Sequence, residues 1–589
     1  MQTSQHVYFV LYNAKTNFNL RLIFIKVCED MANFVQQALL YATQQRKNNF
    51  IKKTHQAAAV QEQFLINLLH FHKNTQLGKE YFFNEITTIE QFQQRVPILE
   101  YSGYEPLVQR IARGEQNVLT PEPVVYFNTT SGSTGKQKLI PVTKRFQSTL
   151  RRANLTSIGF LDAALRSHNL NFGKLLVTNT AKITGLTESG IAYGPGGTGV
   201  MRMNKMLYQQ LFAHPYTILE VSDSITRHYL CLLFALRDSS MRGMIANFPM
   251  LILRTCQYLE RYAEDLIQDL ETGKFADWLQ LEPEIRQILA KQFSAMPNRA
   301  HQLKTLLKTH GRLTPKLAWS DLSFVATARG GTSDFYFERF PNYLEDTPVF
   351  GAVYASAEGT FSIYSELNND GSVLAIESGF FEFVPQDQWQ EVHPTTLLAT
   401  EVKVGELYRI LMTNYSGLYR YDNGDVVEVV GFYNKTPLIA FRYRRGGILS
   451  STTEKTTEFH ATQVMQALQQ EFDIVLEDFC ITLTENDFPA HYLVNIELTN
   501  HPLSNPQAFL TRFDQKLKQV NVYYGAKRRD QVPPPRLRIL APGSFAILRQ
   551  RQLARGIPDS QLKFPHISED RHFLSGMIVE CEVRLPEDK

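Results

Sequence analysis

The chain alternates amphipathic segments with short apolar runs, a pattern that predicts helices packed over several strands. Apolar spacings of three and four residues predict helices over Met31–His72, Thr87–Arg95 and Tyr104–Arg113. Short apolar runs bounded by turn residues predict strands, for example at Leu175–Asn179 and Gly379–Val384. Strands separated by helical segments indicate an α/β architecture in which helices cover the sheets.

After the N-terminal segment, the chain divides into a large and a small part. Over Arg442–Thr457 a basic run and a Gly-Gly pair give way to Ser, Thr, Glu and Lys, which predicts an inter-domain linker with its hinge at 449–455. Residues 31–448 then form one large domain. Residues 456–589 have their own signals, strands over Tyr492–Leu498 and Arg536–Leu540 and a tail from Leu574, and predict a small α+β domain.

Two further segments carry weaker signals. The long apolar stretch Thr226–Ala246 predicts a single helix. Residues 1–30 lack the uninterrupted apolar core of a secretory signal, so they are either a dispensable N-terminal extension or a short docked hairpin.

Composition narrows the class of protein. The 589 residues are 43% hydrophobic and 20% charged, typical of a globular protein of several domains. A net charge of +3 does not favour a nucleic-acid partner, and no apolar run reaches the ~20 residues of a membrane helix. The five scattered cysteines form no CxxC pair, so we expect a reducing, cytoplasmic location without disulfides or a zinc cluster.

The stretch VVYFNTTSGSTGKQKLIPV at Val124–Val142 is the strongest candidate for chemistry. Two apolar runs predict strands, and the segment between them combines hydroxyls, glycines and lysines, which suits a loop that wraps a polyphosphate. It is not a Walker A loop, because only two residues separate Gly132 and Gly135 and Gln137 follows Lys136. The alternative is a plain surface turn.

Acidic residues downstream supply candidate ligands for the rest of a nucleotide. Glu358, in YASAEG, follows a predicted strand and is placed to bind Mg²⁺ together with phosphate oxygens. Asp425, in YRYDNGDVV, precedes an apolar run and can accept hydrogen bonds from the hydroxyls of a ribose, with Asp422 as the competitor. The alternative for each is an ordinary acidic residue in a turn.

Two more candidates involve small and basic residues. Gly330 and Gly331 lack side chains, so a flat adenine can lie against their backbone. Lys563, in GIPDSQLKFPH, can reach across a cleft to an α-phosphate, although a lysine in such a segment is by itself far more often an ordinary surface residue.

Taken in order, these motifs resemble a known family. TTSGSTGKQK resembles the phosphate loop of the adenylate-forming superfamily, YASAE its Tyr-x-x-x-Glu motif and YRYDNGD its ribose motif. The run as a whole, with the linker LSSTTEKTTE and the late segments NVYYGAKRRD and RQLARGIPDSQLKFP, is similar to the Gretchen Hagen acyl-acid amido synthetase family, and a bacterial-type member is expected.

The resemblance implies a fold and a reaction. The fold would be a large multi-sheet α/β domain of the adenylate-forming type with a small mobile C-terminal domain that rotates about the hinge at 449–455. A carboxylic acid and MgATP would give an acyl-adenylate and pyrophosphate, and an amine, typically of an amino acid, would then give the amide and AMP. We expect a monomer or weak oligomer.

The resemblance also implies roles for individual residues. The β- and γ-phosphates would be held by the loop residues Ser131, Gly132, Ser133, Thr134, Gly135 and Lys138. Glu358 would bind Mg²⁺ and Asp425 the ribose, while Tyr354, Gly330 and Gly331 would complete the nucleotide site. Lys563 would assist adenylation.

Two alternatives to an amido synthetase stay open. An acid–thiol ligase shares the first half-reaction and would pass the acyl group to coenzyme A or a carrier protein. A non-catalytic nucleotide-binding protein of the same fold would bind ATP without turnover.

Overall fold

The computed structural model describes residues 37–130, 138–196, 205–331, 333–445, 447–452, 454–499, 501–529, 531–555, 557–559 and 562–588. Residues 37–54 are helical. The other α-helices are Ala57–His72, Gln76–Glu80, Ile89–Arg95, Tyr101–Ala112, Lys144–Ser167, Lys205–Leu211, Ser224–Leu236, Pro249–Arg261, Ala263–Thr272, Pro283–Ala290, Pro297–His310, Pro315–Ala318, Ser333–Phe337, Pro341–Leu344, Glu458–Phe472, Pro506–Val520, Val522–Lys527 and Ser544–Ala554.

Among the described residues before 445, the strands form three sheets. A four-stranded parallel sheet has the strand order Lys174–Val177, Met241–Ile245, Phe324–Ala326, Val349–Phe350. An eight-stranded antiparallel sheet has the order Leu397–Leu398, Phe380–Pro385, Leu407–Thr413, Tyr421–Tyr433, Thr436–Arg444, Ser372–Leu374, Gly359–Ile363, Val353–Ser356. A smaller sheet, here the loop sheet, has the order Leu139–Val142, Tyr126–Thr129, Ala192–Pro195, Gly185–Leu186.

The last part of the chain forms its own sheet, here the C-terminal sheet. Its strand order is Leu476–Leu483, Tyr492–Leu498, Arg536–Leu540, Val579–Arg584. A short antiparallel pair, Ile448–Leu449 with Thr456–Thr457, precedes it. Its first strand packs on the large part of the chain, because the rings of Phe335 and Phe479 lie 5.1 Å apart.

Several predicted elements are confirmed, and three expectations need correction. Thr226–Ala246 is not one helix: the helix ends at Leu236, and Met241–Ile245 is an inner strand of the parallel sheet. The expected tail contains the strand Val579–Arg584, paired antiparallel with Arg536–Leu540. The basic run at Arg442 belongs to the strand Thr436–Arg444 rather than to a linker. The predicted division at 449–455 stays a prediction.

Candidate active site

The strands beside the proposed phosphate loop form a hairpin, as the sequence predicts. Tyr126–Thr129 pairs antiparallel with Leu139–Val142, and the backbone N–H of Thr130 donates to the Lys138 carbonyl at 3.2 Å. The two ends of the loop are therefore held together. The loop residues Ser131, Gly132, Ser133, Thr134 and Gly135 lie outside the described residues, so their phosphate contacts stay predictions.

Lys138, at the end of the loop, lies over an aromatic ring. Its Nζ is 5.4 Å from the centroid of the Tyr101 ring, a cation–π distance. The Tyr101 hydroxyl donates to the Leu139 carbonyl at 3.2 Å and accepts from the Leu139 N–H at 2.9 Å, which fixes the ring. Burial raises the pKa of Tyr101 to about 12, so the phenol stays neutral. Among the described residues no carboxylate neutralises Lys138, which leaves its charge for a ligand.

Glu358 is a buried carboxylate with few partners. It is 2% exposed, and its Oε1 accepts one hydrogen bond from the Tyr421 hydroxyl at 3.1 Å. Burial, reinforced by the charge of Glu358, raises the pKa of Tyr421. Within the described ranges no Lys, Arg or His forms an ion pair with Glu358. A buried charge of this kind is costly unless a cation neutralises it, so the site suits a divalent ion.

Backbone contacts hold the turn that carries Glu358. The Asn414 side-chain amide donates to the Glu358 carbonyl at 2.7 Å, and the Asn128 amide donates to the Ala357 carbonyl at 2.9 Å. Asn128 lies on the strand that leads into the phosphate loop. The turn with the carboxylate and the base of the loop are therefore neighbours, as a site that binds metal and phosphate together requires. No group of three metal-ligating side chains occurs among the described residues, so an ion here would depend on substrate oxygens.

Asp425, by contrast, is almost fully engaged by protein groups. It is 1% exposed, its Oδ1 accepts from Arg444 Nε at 2.6 Å, and its Oδ2 accepts from the Tyr354 hydroxyl at 2.7 Å and the Asn423 amide at 2.9 Å. The charge of Asp425 raises the pKa of Arg444. A carboxylate offers about four acceptor positions, so one stays available to a ligand.

The competitor Asp422 has a different environment. Its Oδ2 lies 3.1 Å from Arg409 Nε, and its Oδ1 accepts from the Gly424 N–H at 2.8 Å. Burial raises the pKa of Asp422. Gly424 has a φ of +81°, which favours glycine, so Asp422 stabilises a tight turn. Unlike Asp425, it has no hydrogen bond to Tyr354.

Phe441 is the residue around which several predicted ligands meet. The Gly331 N–H donates to the Phe441 carbonyl at 3.1 Å, the Tyr354 ring centroid lies 5.4 Å from that of Phe441, and Lys563 Nζ lies 5.8 Å from it. A Cβ on Gly330 would come within 2.5 Å of the Phe441 carbonyl oxygen. Both glycines also have positive φ, of 83° and 58°, so the close approach to this strand already requires them.

Lys563 reaches this place from the C-terminal part of the chain. Its side chain is exposed, while Leu562 and Phe564 on either side are buried. Four residues earlier, Asp559 pairs with Arg254 and accepts from the Ser224 hydroxyl at 2.8 Å. These contacts tie the segment before Lys563 to two helices of the large part of the chain.

Asp559, Arg254 and His228 are all buried. Burial alone would raise the pKa of Asp559, but the charge of Arg254 and the bond from Ser224 lower it. Burial lowers the pKa of the neighbouring His228 to about 4, so this imidazole is neutral near pH 7. The anchor of the Lys563 segment is therefore a single charge pair, Asp559 with Arg254.

The structure thus brings Tyr354, Gly330, Gly331 and Lys563 together at Phe441, with Asp425 joined through Tyr354. Sequence reasoning missed Phe441, Arg444 and Asp559. Arg444 could have been found from the sequence. The two strands form one hairpin that turns between Tyr433 and Thr436, and this turn places Arg444 opposite Asp425. Phe441 and Asp559 act through contacts between distant parts of the chain, which no local pattern shows.

The fold is that of adenylate-forming enzymes. A 2-hydroxyisobutyryl-CoA ligase in its postadenylation state has a TM-score of 0.53 at 10% identity, covering 87% of this chain and 90% of that one. The Arabidopsis enzyme AtGH3.15, an acyl acid amido synthetase solved with 2,4-DB, has a TM-score of 0.81 at 22% identity, covering 92% and 97%.

Family comparisons are more specific. The GH3 family N-terminal domain matches residues 46–349, its central domain 372–444 and its C-terminal domain 459–572, so the chain belongs to the GH3 family. Its relatives include the jasmonoyl–L-amino acid synthetase JAR4 of Nicotiana attenuata, 26% identical over 87% of this chain and 91% of that protein. The indole-3-acetic acid-amido synthetase GH3.17 of Arabidopsis thaliana is also 26% identical, with the same coverage.

These findings confirm the predicted class, an acyl-acid amido synthetase of the adenylate-forming type and hence a ligase. They also imply the use of ATP. Among the described helices, none combines the length and apolar character needed to cross a bilayer.

Proposed function

We propose that this protein uses MgATP to convert a carboxylic acid into an acyl-adenylate, and then transfers the acyl group to the amine of an amino acid. The observation that carries this proposal is the meeting of Lys563 with Tyr354 and Phe441, beside Asp425. A lysine from one part of the chain thereby faces the predicted ribose site of another.

Each predicted ligand has a role that its surroundings support. Tyr354 and Asp425 form a preorganised pair that would hold the ribose, and Glu358 would bind Mg²⁺ together with phosphate oxygens. The ion would neutralise charge on the leaving pyrophosphate. The loop Ser131–Gly135 and Lys138 would hold that pyrophosphate, and Lys563 would offset the charge that builds on the α-phosphate.

The acyl group would lie at the carboxyl edge of the parallel sheet. In open α/β sheets ligands bind outside the carboxyl ends of the strands. There the Asn179 amide donates to Asn247 Oδ1 at 2.9 Å, while the hydroxyl of Thr327, buried at 2% exposure, has no hydrogen-bond partner among the described residues. Such a polar atom is available to a substrate carboxylate or to the adenylate.

One pair of assays tests the reaction. Carboxylate-dependent exchange of pyrophosphate into ATP, measured over a panel of acids that includes indole and phenoxy acids, reports the first half-reaction. Amino acids or coenzyme A are then added to the active mixture. Amide without thioester supports the proposal, whereas thioester would identify an acid–thiol ligase, and no exchange with any acid would contradict adenylation.

The mobile lysine has a separate test. Lys563→Ala should lower exchange far more than amide formation from a preformed acyl-adenylate, because only the first step builds charge on the α-phosphate. Equal loss in both steps would argue against the proposed role. Domain rotation about 449–455, a monomeric state and a cytoplasmic location remain part of this proposal.

A further inference from the structure

A cavity lies between the large part of the chain and the C-terminal sheet. Neither Phe441 nor Lys563 lines it. Its volume is about 600 Å³, within the range of small-molecule sites. One wall is the helix Pro249–Arg261, and the opposite wall is the helix Ser544–Ala554 with the ends of two strands of the C-terminal sheet. The cavity therefore depends on how these two parts of the chain are arranged.

Positive charge exceeds negative charge in this cavity. Four arginines line it, against three carboxylates. The lining charges are Arg254, Arg261, Arg339, Arg549, Glu477, Glu497 and Asp559. A site with this balance favours a negatively charged ligand.

The three carboxylates are already engaged. Asp559 pairs with Arg254, and Glu477 Oε2 accepts from Arg339 Nη2 at 2.8 Å. Glu497 accepts the N–H groups of Gly543 and Phe545 at 2.6 and 2.8 Å, so it already occupies the N-terminus of the helix Ser544–Ala554. Within the described part of the chain none of them forms an ion pair with Arg549, although the charges of Asp559 and Glu477 act on it at longer range.

Two arginines retain unsatisfied donors. Arg254 is 3% exposed, and its Nη2 has no hydrogen-bond partner in the described part of the chain, nor does Nε of Arg549. Burial, and then the nearby charge of Arg254, lower the pKa of Arg549, and the charges of Asp559 and Glu477 offset this only in part. Two guanidinium groups that repel each other and keep free N–H donors form a cradle for an anion, since an oxyanion can accept from both.

We infer that this cavity binds a small oxyanion, a carboxylate or phosphate group, between Arg254 and Arg549. The anion could be the carboxylate of an amino acid or free phosphate or pyrophosphate, which share this chemistry.

Calorimetric titration of the full chain without ATP tests the site. The probes are L-alanine and L-glutamate, ethylamine as an amine without a carboxylate, inorganic phosphate and pyrophosphate. Either the amino acids or the phosphates should bind, and ethylamine should not. Which class binds identifies the source of the anion. Absence of binding by every anion would overturn the inference.

Matched variants locate the binding. Arg549→Gln removes the unpaired guanidinium, breaks no ion pair and should weaken binding at least about tenfold, the worth of a charge-assisted hydrogen bond. Arg555→Gln makes the same charge change just beyond the end of the same helix at an exposed position, and should bind as wild type does. Equal affinity in wild type and Arg549→Gln would overturn the inference.

Anion binding at this cavity is tested independently of the proposed ligase activity. Arg549 does not contact the nucleotide site, so acid-dependent pyrophosphate exchange should stay within about twofold of wild type in Arg549→Gln. Loss of anion binding with normal exchange supports the site. Exchange without any anion binding would remove this inference and leave the proposed ligase activity standing.

Discussion

Two buried glutamates of the eight-stranded sheet region have opposite surroundings. Glu382 is 1% exposed and accepts from Arg420 Nε at 3.0 Å and Nη2 at 2.9 Å, and from the Thr396 hydroxyl at 2.6 Å. Glu358 is 2% exposed and, among the described residues, its side chain accepts from the Tyr421 hydroxyl alone. Arg420 and Tyr421 are adjacent in the chain, so one strand start serves both carboxylates.

We propose that this difference distinguishes a carboxylate that stabilises the fold, Glu382, from one that binds a ligand, Glu358. A buried ion pair with satisfied hydrogen bonds is tolerated in a fold, whereas a buried charge without a cation is destabilising. Among the described residues Arg420 forms an ion pair with Glu382, whereas no cation pairs with Glu358, whose charge acts only at longer range on Arg444. We therefore propose that a bound cation accompanies the charge of Glu358. Among cations that a nucleotide brings with it, Mg²⁺ is the one that accepts a carboxylate and phosphate oxygens together.

The largest expected effect follows from removing that charge. Glu358→Gln should lower acid-dependent pyrophosphate exchange at least about 100-fold, because the amide cannot neutralise the ion, while the free energy of unfolding stays equal or rises. Glu382→Gln is the matched control. It should lower the free energy of unfolding by about 3 kcal/mol, since Arg420 is left buried and unpaired, and leave the exchange rate of the folded fraction near wild type. Loss of exchange in Glu382→Gln together with loss of stability in Glu358→Gln would contradict these two assignments.

How far the sequence predicts this site depends on the range of each contact. Glu358, Asp425 and Lys563 each stand in a recognisable local motif, and the hairpin around the phosphate loop follows from two apolar runs. No local pattern tells which of the two glutamates has an arginine partner. Arg420 meets Glu382 only because strands that are distant in the sequence pair with each other.

The errors in the fold have similar causes. An inner strand that is covered on both faces lacks the strict polar–apolar alternation of a half-exposed strand, so Met241–Ile245, despite Arg242, resembles a continuation of the preceding helix. The strand Val579–Arg584 does alternate in polarity, as edge strands do, but its pairing with Arg536–Leu540 depends on the sheet to which it adds.

The same contrast applies to two cations of the proposed nucleotide site. Arg444 is neutralised by Asp425, whereas Lys138 has only the Tyr101 ring as a partner among the described residues. Lys138→Ala should therefore lower exchange about 100-fold with little change in the free energy of unfolding. Lys144→Ala, which removes an exposed lysine a few residues further along, is the control and should stay near wild type. If the two variants lowered exchange equally, Lys138 would not be a phosphate ligand.

The two aspartates of YRYDNGD give a smaller and sharper contrast. Asp425→Asn should raise the KM for ATP about tenfold, through loss of a charged acceptor for the ribose, while Arg444 stays half-exposed to solvent. Asp422→Asn should leave that KM unchanged and lower the free energy of unfolding by about 3 kcal/mol, because Arg409 stays buried. If only Asp422→Asn raised the KM for ATP, then Asp422 rather than Asp425 would be the ribose ligand.

The smallest effect is expected where a carboxylate acts at a distance. Asp559 pairs with Arg254 and anchors the segment that ends at Lys563, so it is a positioning residue. Asp559→Asn keeps an acceptor for Ser224 but loses the ion pair, and a less restrained Lys563 should lower exchange by about three- to tenfold. Amide formation from a preformed acyl-adenylate should change less than about twofold, because that step does not use Lys563. A purely structural role for Asp559 would instead lower both half-reactions together, in proportion to the loss of folded protein.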